Sequence, residues 1–302
     1  MNKILLLGCN GQVGWELQRS LSPLGSLLAC DRQQADLSNP RSLEQLLRSE
    51  KPDIIVNAGA YTAVDKAESD IASTRRINAE APAVLANIAR ELDAWLVHYS
   101  TDYVFDGSGN QPIQEDAATA PLSVYGQTKL EGEQAIRASG CKHLIFRTSW
   151  VYATRGANFA KTMLRLARER EELRVIADQH GAPTSAELIA DITALALQRL
   201  TCDAELKTRA SGTYHLVASG ETSWHCYAQF VIEEATRLGA NLLTTSARII
   251  PISTSEYPLP AKRPANSRLN NDKLQRTFDL VLPHWQHHVK RMIQEVTEQG
   301  TI

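Results

Sequence analysis

The sequence predicts an α/β fold with a doubly wound parallel sheet. Short apolar runs alternate with amphipathic stretches through the first half of the chain, and a glycine-rich turn joins the first such pair. After about Trp150 the rhythm becomes mainly helical, so a smaller C-terminal lobe is expected beside the sheet.

Lys3 to Leu7 reads as a buried strand and Val13 to Leu21 as a helix. Leu27 to Cys30 and Leu43 to Ser49 repeat the pair. Asp53 to Asn57 gives a third strand, Ala79 to Leu92 an alanine-rich helix, and Trp95 to Ser100 a fourth strand. A helix begins near Tyr125 and continues through Leu130 to Ala138, followed by an apolar strand at Leu144 to Phe146. Apolar runs without alternation mark strands buried on both faces, as in a parallel sheet covered by helices. Beyond Trp150, helices are expected at Phe159 to Arg170, Ala186 to Leu200, Trp224 to Leu238 (with Thr222 or Ser223 as cap) and His284 to Val296. Tyr214 to Val217 reads as a strand that returns to the first sheet. The stretch carrying Pro251, Pro258, Pro260 and Pro264 is expected to be irregular. The resulting division is a nucleotide-binding Rossmann-type domain at 1–150, rejoined by segments near 186–218, and a mainly substrate-binding lobe at 151–302.

Composition narrows the class. A chain of 302 residues with 43% hydrophobic and 22% charged residues is ordinary for a globular protein. A formal charge of −2 offers no electrostatic case for nucleic acid or a membrane surface. No apolar run approaches the roughly 20 residues of a membrane helix, and Gly8 and Asn10 interrupt anything like a signal peptide. Five scattered cysteines form no C-x-x-C pair, and the reducing cytoplasm is the expected compartment. Eight histidines show no zinc spacing, and the adjacent His287 and His288 point to different sides of a helix.

Gly8, Gly11 and Gly14 lie between the first strand and the first helix. Lacking a Cβ, they let the backbone turn tightly and approach a pyrophosphate, which the free N–H groups of the helix N-terminus then face. Asp31 follows the second strand at the distance expected of a carboxylate that accepts from adenosine ribose hydroxyls. Arg32 beside it offsets the repulsion a 2′-phosphate would meet, so NADH is expected to bind without NADPH being excluded. Asp36 and Leu37 are placed near the adenine edge.

Tyr125 and Lys129 stand four apart, on one face of a helix, after a strand ending Ser100-Thr101-Asp102. A free tyrosine with a pKa near ~10 is a weak acid, and each unit of lowering is worth ~1.4 kcal/mol of phenolate stabilisation. Lys129 is expected to supply that lowering and to hold a nicotinamide ribose, with the Thr101 hydroxyl donating to the same substrate oxygen. Downstream of a nucleotide fingerprint, the three outline a nicotinamide-dependent carbonyl reductase.

The motifs resemble those of the extended short-chain dehydrogenase/reductase superfamily and, within it, the dTDP-4-dehydrorhamnose reductase family. The resemblance runs over essentially the whole chain. It is carried by Gly-x-x-Gly-Gln-Val-Gly-Trp-Glu-Leu from Gly8, Val-Asn-x-x-Ala-x-Thr-Ala-Val-Asp-Lys-Ala-Glu from Val56, and His-Tyr-Ser-Thr-Asp-Tyr-Val-Phe from His98. It continues in Val-Tyr-Gly-x-Thr-Lys from Val124, Phe-Arg-Thr-Ser-Trp-Val-Tyr from Phe146, Asp-Gln-x-Gly-Ala-Pro-Thr from Asp178, and Arg-Pro-x-Asn-Ser-Arg-Leu from Arg263.

The resemblance implies reduction of dTDP-4-dehydro-β-L-rhamnose by NADH or NADPH, in nucleotide-sugar synthesis for surface polysaccharide. Tyr125 would be the proton donor, Lys129 its partner and Thr101 the third member. Gly11, Gln12 and Val13 would contact the pyrophosphate, and Ala60, Tyr61 and Thr62 would line the cofactor. Thr101, Asp102 and Trp150 would touch the sugar, with Arg263 and Arg268 candidates for the diphosphate because guanidinium forks suit phosphate oxygens. It further implies a homodimer and a structural Mg2+ at a dimer contact, outside the chemistry, held by Glu16, Glu187 and Asp191, whose carboxylates are the right ligand type. Two other readings fit the same residues: another nucleotide-sugar ketoreductase or epimerase, and a non-catalytic regulatory subunit with the same fold.

Overall fold

The computed structural model describes residues 2–298. Its centre is a six-stranded, all-parallel sheet. The strands are β1 (Asn2–Leu7), β2 (Gly25–Cys30), β3 (Ile54–Asn57), β4 (Trp95–Thr101), β5 (Lys142–Thr148) and the later strand Gly212–His215. In space the order runs β2, β1, β3, β4, β5 and then Gly212–His215, whose Tyr214 pairs with Phe146. The chain leaves β1 in one direction to β2 and in the other to β3. That reversal creates a crevice at the carboxyl ends of β1 and β3, the position where open α/β sheets bind ligands.

Both faces of the sheet are covered, which explains the unbroken apolar runs. Ile4, Leu6, Val56, Val97 and Leu144 pack on the side of helix α1 (Gln12–Leu21) and the helix Ala186–Cys202, while Leu5, Leu7, Ile55, Leu96 and Ile145 face α2 (Pro40–Glu50) and α3 (Ala81–Glu91). The first of these cores continues through Leu164, Tyr227 and Val289, so later helices share it.

Local chemistry sets the helix starts. Asn39 caps α2 ahead of Pro40, Ser123 caps α4 (Val124–Ser139) and Ser223 caps the helix Trp224–Arg237, each side chain accepting from a backbone N–H of the first turn. Helix α1 differs, for its N-cap is Gly11 and no side chain satisfies its first N–H groups.

Three departures from the sequence reading have physical reasons. Pro251 lies within a strand, Ile249–Ile252, which pairs in parallel with Leu173–Ile176. A two-stranded sheet has only edges, where a residue without an N–H is tolerated. The Leu173–Ile176 strand was not anticipated, being too short for its periodicity to stand out. The helix expected from Ala79 begins earlier: Ile71–Arg75 runs through a π-helical segment, Arg76–Glu80, into α3. Pro82 supplies the reason, since it lacks an N–H and its ring crowds the carbonyl of Asn78, and a wider turn relieves both.

A buried ion pair ties α4 to β5. Arg147 donates to both carboxylate oxygens of Glu133 at 2.9 and 2.7 Å, and Ser100 and Arg137 add further hydrogen bonds. The side chains are 3% and 0% exposed, so either charge alone would be stranded away from water. Arg147→Met is therefore expected to destabilise the protein by about 3 kcal/mol in urea unfolding, and Glu133→Leu/Arg147→Met by clearly less. Equal losses from the single and double changes would show that the pair does not carry the effect.

Candidate functional site

The carboxyl ends of β1, β3, β4 and β5 open into one cleft of about 720 Å³, within the size range of cofactor sites. Backbone closeness shapes its floor. Gly8 has φ 75°, and a Cβ there would lie 2.7 Å from Gly59; a Cβ on Gly14 would lie 2.1 Å from the Gly8 carbonyl. Only glycine permits β1, α1 and the segment after β3 to meet this closely. Gly11, Gln12 and Val13 present the uncapped start of α1 to the cleft, where free N–H groups suit an anionic phosphate. That donor set fits the pyrophosphate of a dinucleotide.

Most of the expected residues converge here. Gly8, Gly11, Gln12, Val13, Asp31, Arg32, Ala60, Thr62, Thr101, Asp102, Tyr125, Lys129 and Trp150 all line the cleft. Asp31 is held at the end of β2 by accepting from the backbone N–H groups of Gln33 and Gln34.

Others lie elsewhere. Asp36 does not line the cleft; it accepts from the Ser38 amide and hydroxyl and faces Arg32 at 3.8 Å. Leu37 packs its Cδ1 against Gly59, supporting the wall from behind. The Tyr61 hydroxyl donates to Asp70, which turns the ring away. Asn78, in the π-helical segment, accepts from the Tyr61 N–H at 2.9 Å and donates to its carbonyl at 3.1 Å. The sequence offered no signal for that brace beyond the proline four residues later.

Lys129 and Thr101 are buried, and Tyr125 is half-buried at the cleft wall. Lys129 Nζ donates to the Tyr99 carbonyl at 2.6 Å and lies 3.2 Å from His98 Nε2. Burial pulls the Lys129 ammonium down to about 8, against the pull of the Glu133 carboxylate. Burial likewise raises the Asp102 carboxyl to about 6, and its Oδ2 has no hydrogen-bond partner among the described residues. The expectation that Tyr125 is held below its ordinary pKa is overturned. Burial pushes it up to about 12, the Thr101 hydroxyl opposes this, and the Asp102 charge adds to it. Lys129 is not among the groups that offset it, and its Nζ points to the Tyr99 carbonyl. Thr101 gives its own proton to Asp102 Oδ1 at 3.0 Å.

A second cavity of about 410 Å³ adjoins the first, sharing Tyr103 and Trp150. Trp150 adopts φ 48° and stacks on Trp224 with centroids 3.6 Å apart, and Gly181 leaves room for its indole. Phe159, Tyr257 and three arginines, Arg170, Arg174 and Arg263, are among its walls. Arg263 is engaged with Asp65 at 2.7 Å. Arg268 lines neither cavity; its Nε lies 2.8 Å from Glu221 and its Nη1 donates to the Asn110 carbonyl.

Glu16, Glu187 and Asp191 are engaged with guanidinium groups of the same chain. Arg19 lies 2.9 Å from Asp191 and 3.6 Å from Glu16, and Arg291 lies 3.4 Å from Glu187. No cluster able to hold a metal ion occurs among the described residues.

Comparison with known proteins agrees with this geometry. Residues 1–298 match the family described as RmlD substrate binding domain. A Salmonella typhimurium protein named dTDP-4-dehydrorhamnose reductase is 55% identical, with 99% of each chain covered. The crystal structure of a dTDP-4-dehydrorhamnose reductase from Clostridium acetobutylicum superposes with a TM-score of 0.87 at 36% identity, covering 98% of this chain and 99% of that one. One from Bacillus anthracis, in complex with NADP, does so with a TM-score of 0.85 at 32% identity, covering 97% and 99%. With the fold, the cleft and the full-length similarity in agreement, the chain belongs to the dTDP-4-dehydrorhamnose reductase family of extended short-chain dehydrogenase/reductases.

Proposed function

We propose that the protein reduces dTDP-4-dehydro-β-L-rhamnose to dTDP-L-rhamnose with NADH or NADPH, providing a sugar donor for surface polysaccharide. The observation that carries this reading is the convergence of Thr101, Tyr125 and Lys129 beside the uncapped start of α1. When bound, the reduced nicotinamide supplies the hydride. Tyr125 gives its proton to the C4 oxygen as that oxygen becomes an alcohol, and a raised pKa keeps the proton in place until then. Thr101 turns its hydroxyl from Asp102 to the substrate oxygen and fixes it against Tyr125, leaving Asp102 to accept from a sugar hydroxyl. Lys129, when charged, holds the nicotinamide ribose. The α1 N-terminus holds the pyrophosphate and Asp31 the adenosine ribose, with Arg32 tolerating a 2′-phosphate.

The second cavity is the proposed seat of the thymidine diphosphate. Its aromatic walls suit a base, and Arg170, which forms no ion pair among the described residues, is freer for the diphosphate than Arg263. In this reading residues 151–302 act mainly as the substrate lobe. The working form is a cytoplasmic homodimer, as the family resemblance implies, and all five cysteines are free.

Following NADH and NADPH absorbance with freshly made dTDP-4-dehydrorhamnose, against the UDP and GDP analogues, tests the reading. Consumption with none of them would favour a regulatory protein, and tightly held cofactor without net oxidation would favour an epimerase. Tyr125→Phe is expected to lower kcat by roughly a hundredfold or more while nucleotide binding persists, and near-normal turnover would remove Tyr125 as the acid. Arg170→Ala is expected to raise KM for the sugar nucleotide about tenfold with kcat little changed. Because Lys129 is needed charged and loses its proton near pH 8, kcat/KM is expected to hold below that pH and to fall about tenfold per unit above it.

A further inference from the structure

Behind Lys129 lies a buried chain of hydrogen bonds that the proposed reaction does not use. The Gly59 N–H donates to Asn57 Oδ1 at 3.2 Å, Asn57 Nδ2 lies 3.1 Å from His98 Nδ1, and His98 Nε2 lies 3.2 Å from Lys129 Nζ. Asn57 and His98 are both 1% exposed. A backbone N–H can only donate, so it identifies the Asn57 atom facing it as the oxygen. The amide nitrogen then faces the ring and donates to Nδ1. A neutral imidazole that accepts at Nδ1 carries its proton on Nε2, and that N–H points at Lys129. An ammonium has no lone pair to receive it. The chain is complete only when Lys129 is a neutral amine that accepts from His98 and donates to the Tyr99 carbonyl. Placing a proton on Lys129 requires the imidazole proton to move to Nδ1 and the Asn57 amide to turn, which breaks the bond to Gly59 at the cleft wall.

We propose that His98, oriented by Gly59 and Asn57, is a positioning residue that disfavours protonation of Lys129 and so couples the lysine's charge to the loop bordering the cofactor cleft. The charged and titratable groups around Lys129 are few. Tyr125 and Glu133 are on its own helix, His98 and Tyr99 on β4, Asp102 just beyond it, and Arg147 on β5 is bound to Glu133; β3 contributes only the neutral Asn57. Among these only Glu133 favours the ammonium appreciably, while burial opposes it and drives His98 itself to the neutral form. Filling the cleft with an anionic dinucleotide adds acceptors on the open side of Lys129, where a proton can be shared without His98.

Two measurements test the inference. His98→Gln replaces the ring by an amide whose oxygen can accept from an ammonium. The alkaline limb of kcat/KM is expected to move up by at least one pH unit, with kcat at pH 7 within tenfold of the parent. A lower kcat with an unmoved limb would reduce His98 to a packing role and overturn the proposal. The second readout is the 15N spectrum of the parent protein labelled in histidine, with the His98 signals identified by their loss in His98→Gln or, if that variant does not fold, through their couplings to the assigned backbone. At pH 9 Nε2 is expected to carry the proton and Nδ1 to be bare; the reverse would overturn the proposal. The kinetic arm rests on the proposed reductase activity, whereas the nitrogen spectrum does not, so the two failures are distinguishable.

Discussion

Everything at the functional end of this molecule depends on how closely three backbone segments meet at the carboxyl end of β1. Gly8 turns the chain out of the sheet with a positive φ, Gly14 lets α1 pack on that turn, and Gly59 leaves β3 without a side chain between them. A Cβ at Gly8 or Gly14 would fall within 2.7 Å of another backbone atom, so no rotamer change could relieve the clash. The result is a helix whose first N–H groups are neither capped nor covered, aimed into the crevice where the sheet reverses its order. No side chain caps this start, which leaves its N–H groups facing the cleft.

The second constraint is charge placed where water cannot reach it. Lys129 and Glu133 stand one turn apart on α4, and Arg147 reaches Glu133 from β5, all nearly inaccessible. Glu133 stays ionised although burial opposes it, because Arg147, Ser100 and Arg137 supply a full set of donors. Lys129 has a carbonyl and an imidazole instead of a carboxylate partner, so its proton is held weakly. The contrast separates a structural charge from a poised one on the same helix face. Tyr125, half-buried beside it, is poised the other way, with its proton held firmly until an oxygen that needs it arrives.

Much of this was legible in the sequence, for reasons particular residues make clear. The strands carry unbroken apolar runs because both faces are buried, and Ser123 and Ser223 announce their helices through ordinary capping chemistry. Tyr125 and Lys129 could be placed on one face from their spacing. What escaped was whatever depended on a distant partner. Pro251 argued for irregularity, yet a two-stranded edge accepted it. Asp36, Leu37 and Tyr61 belong to the right loops, but their side chains found other contacts in Ser38, Gly59 and Asp70.

The sequence by itself determined the layered α/β architecture, the phosphate-facing turn and the identity of the acid–base residues, since each rests on periodicity or short-range spacing that the chain carries locally. Only the tertiary structure decided how those residues ionise. A pKa follows from burial and from groups brought in by other strands and helices: His98 and the Tyr99 carbonyl behind Lys129, and Asp102 beside Tyr125. Solvent exclusion at the carboxyl end of an open sheet belongs to no single segment. Hence Tyr125 was identifiable as an acid from its neighbours in sequence, while the direction of its pKa shift was set by its neighbours in space.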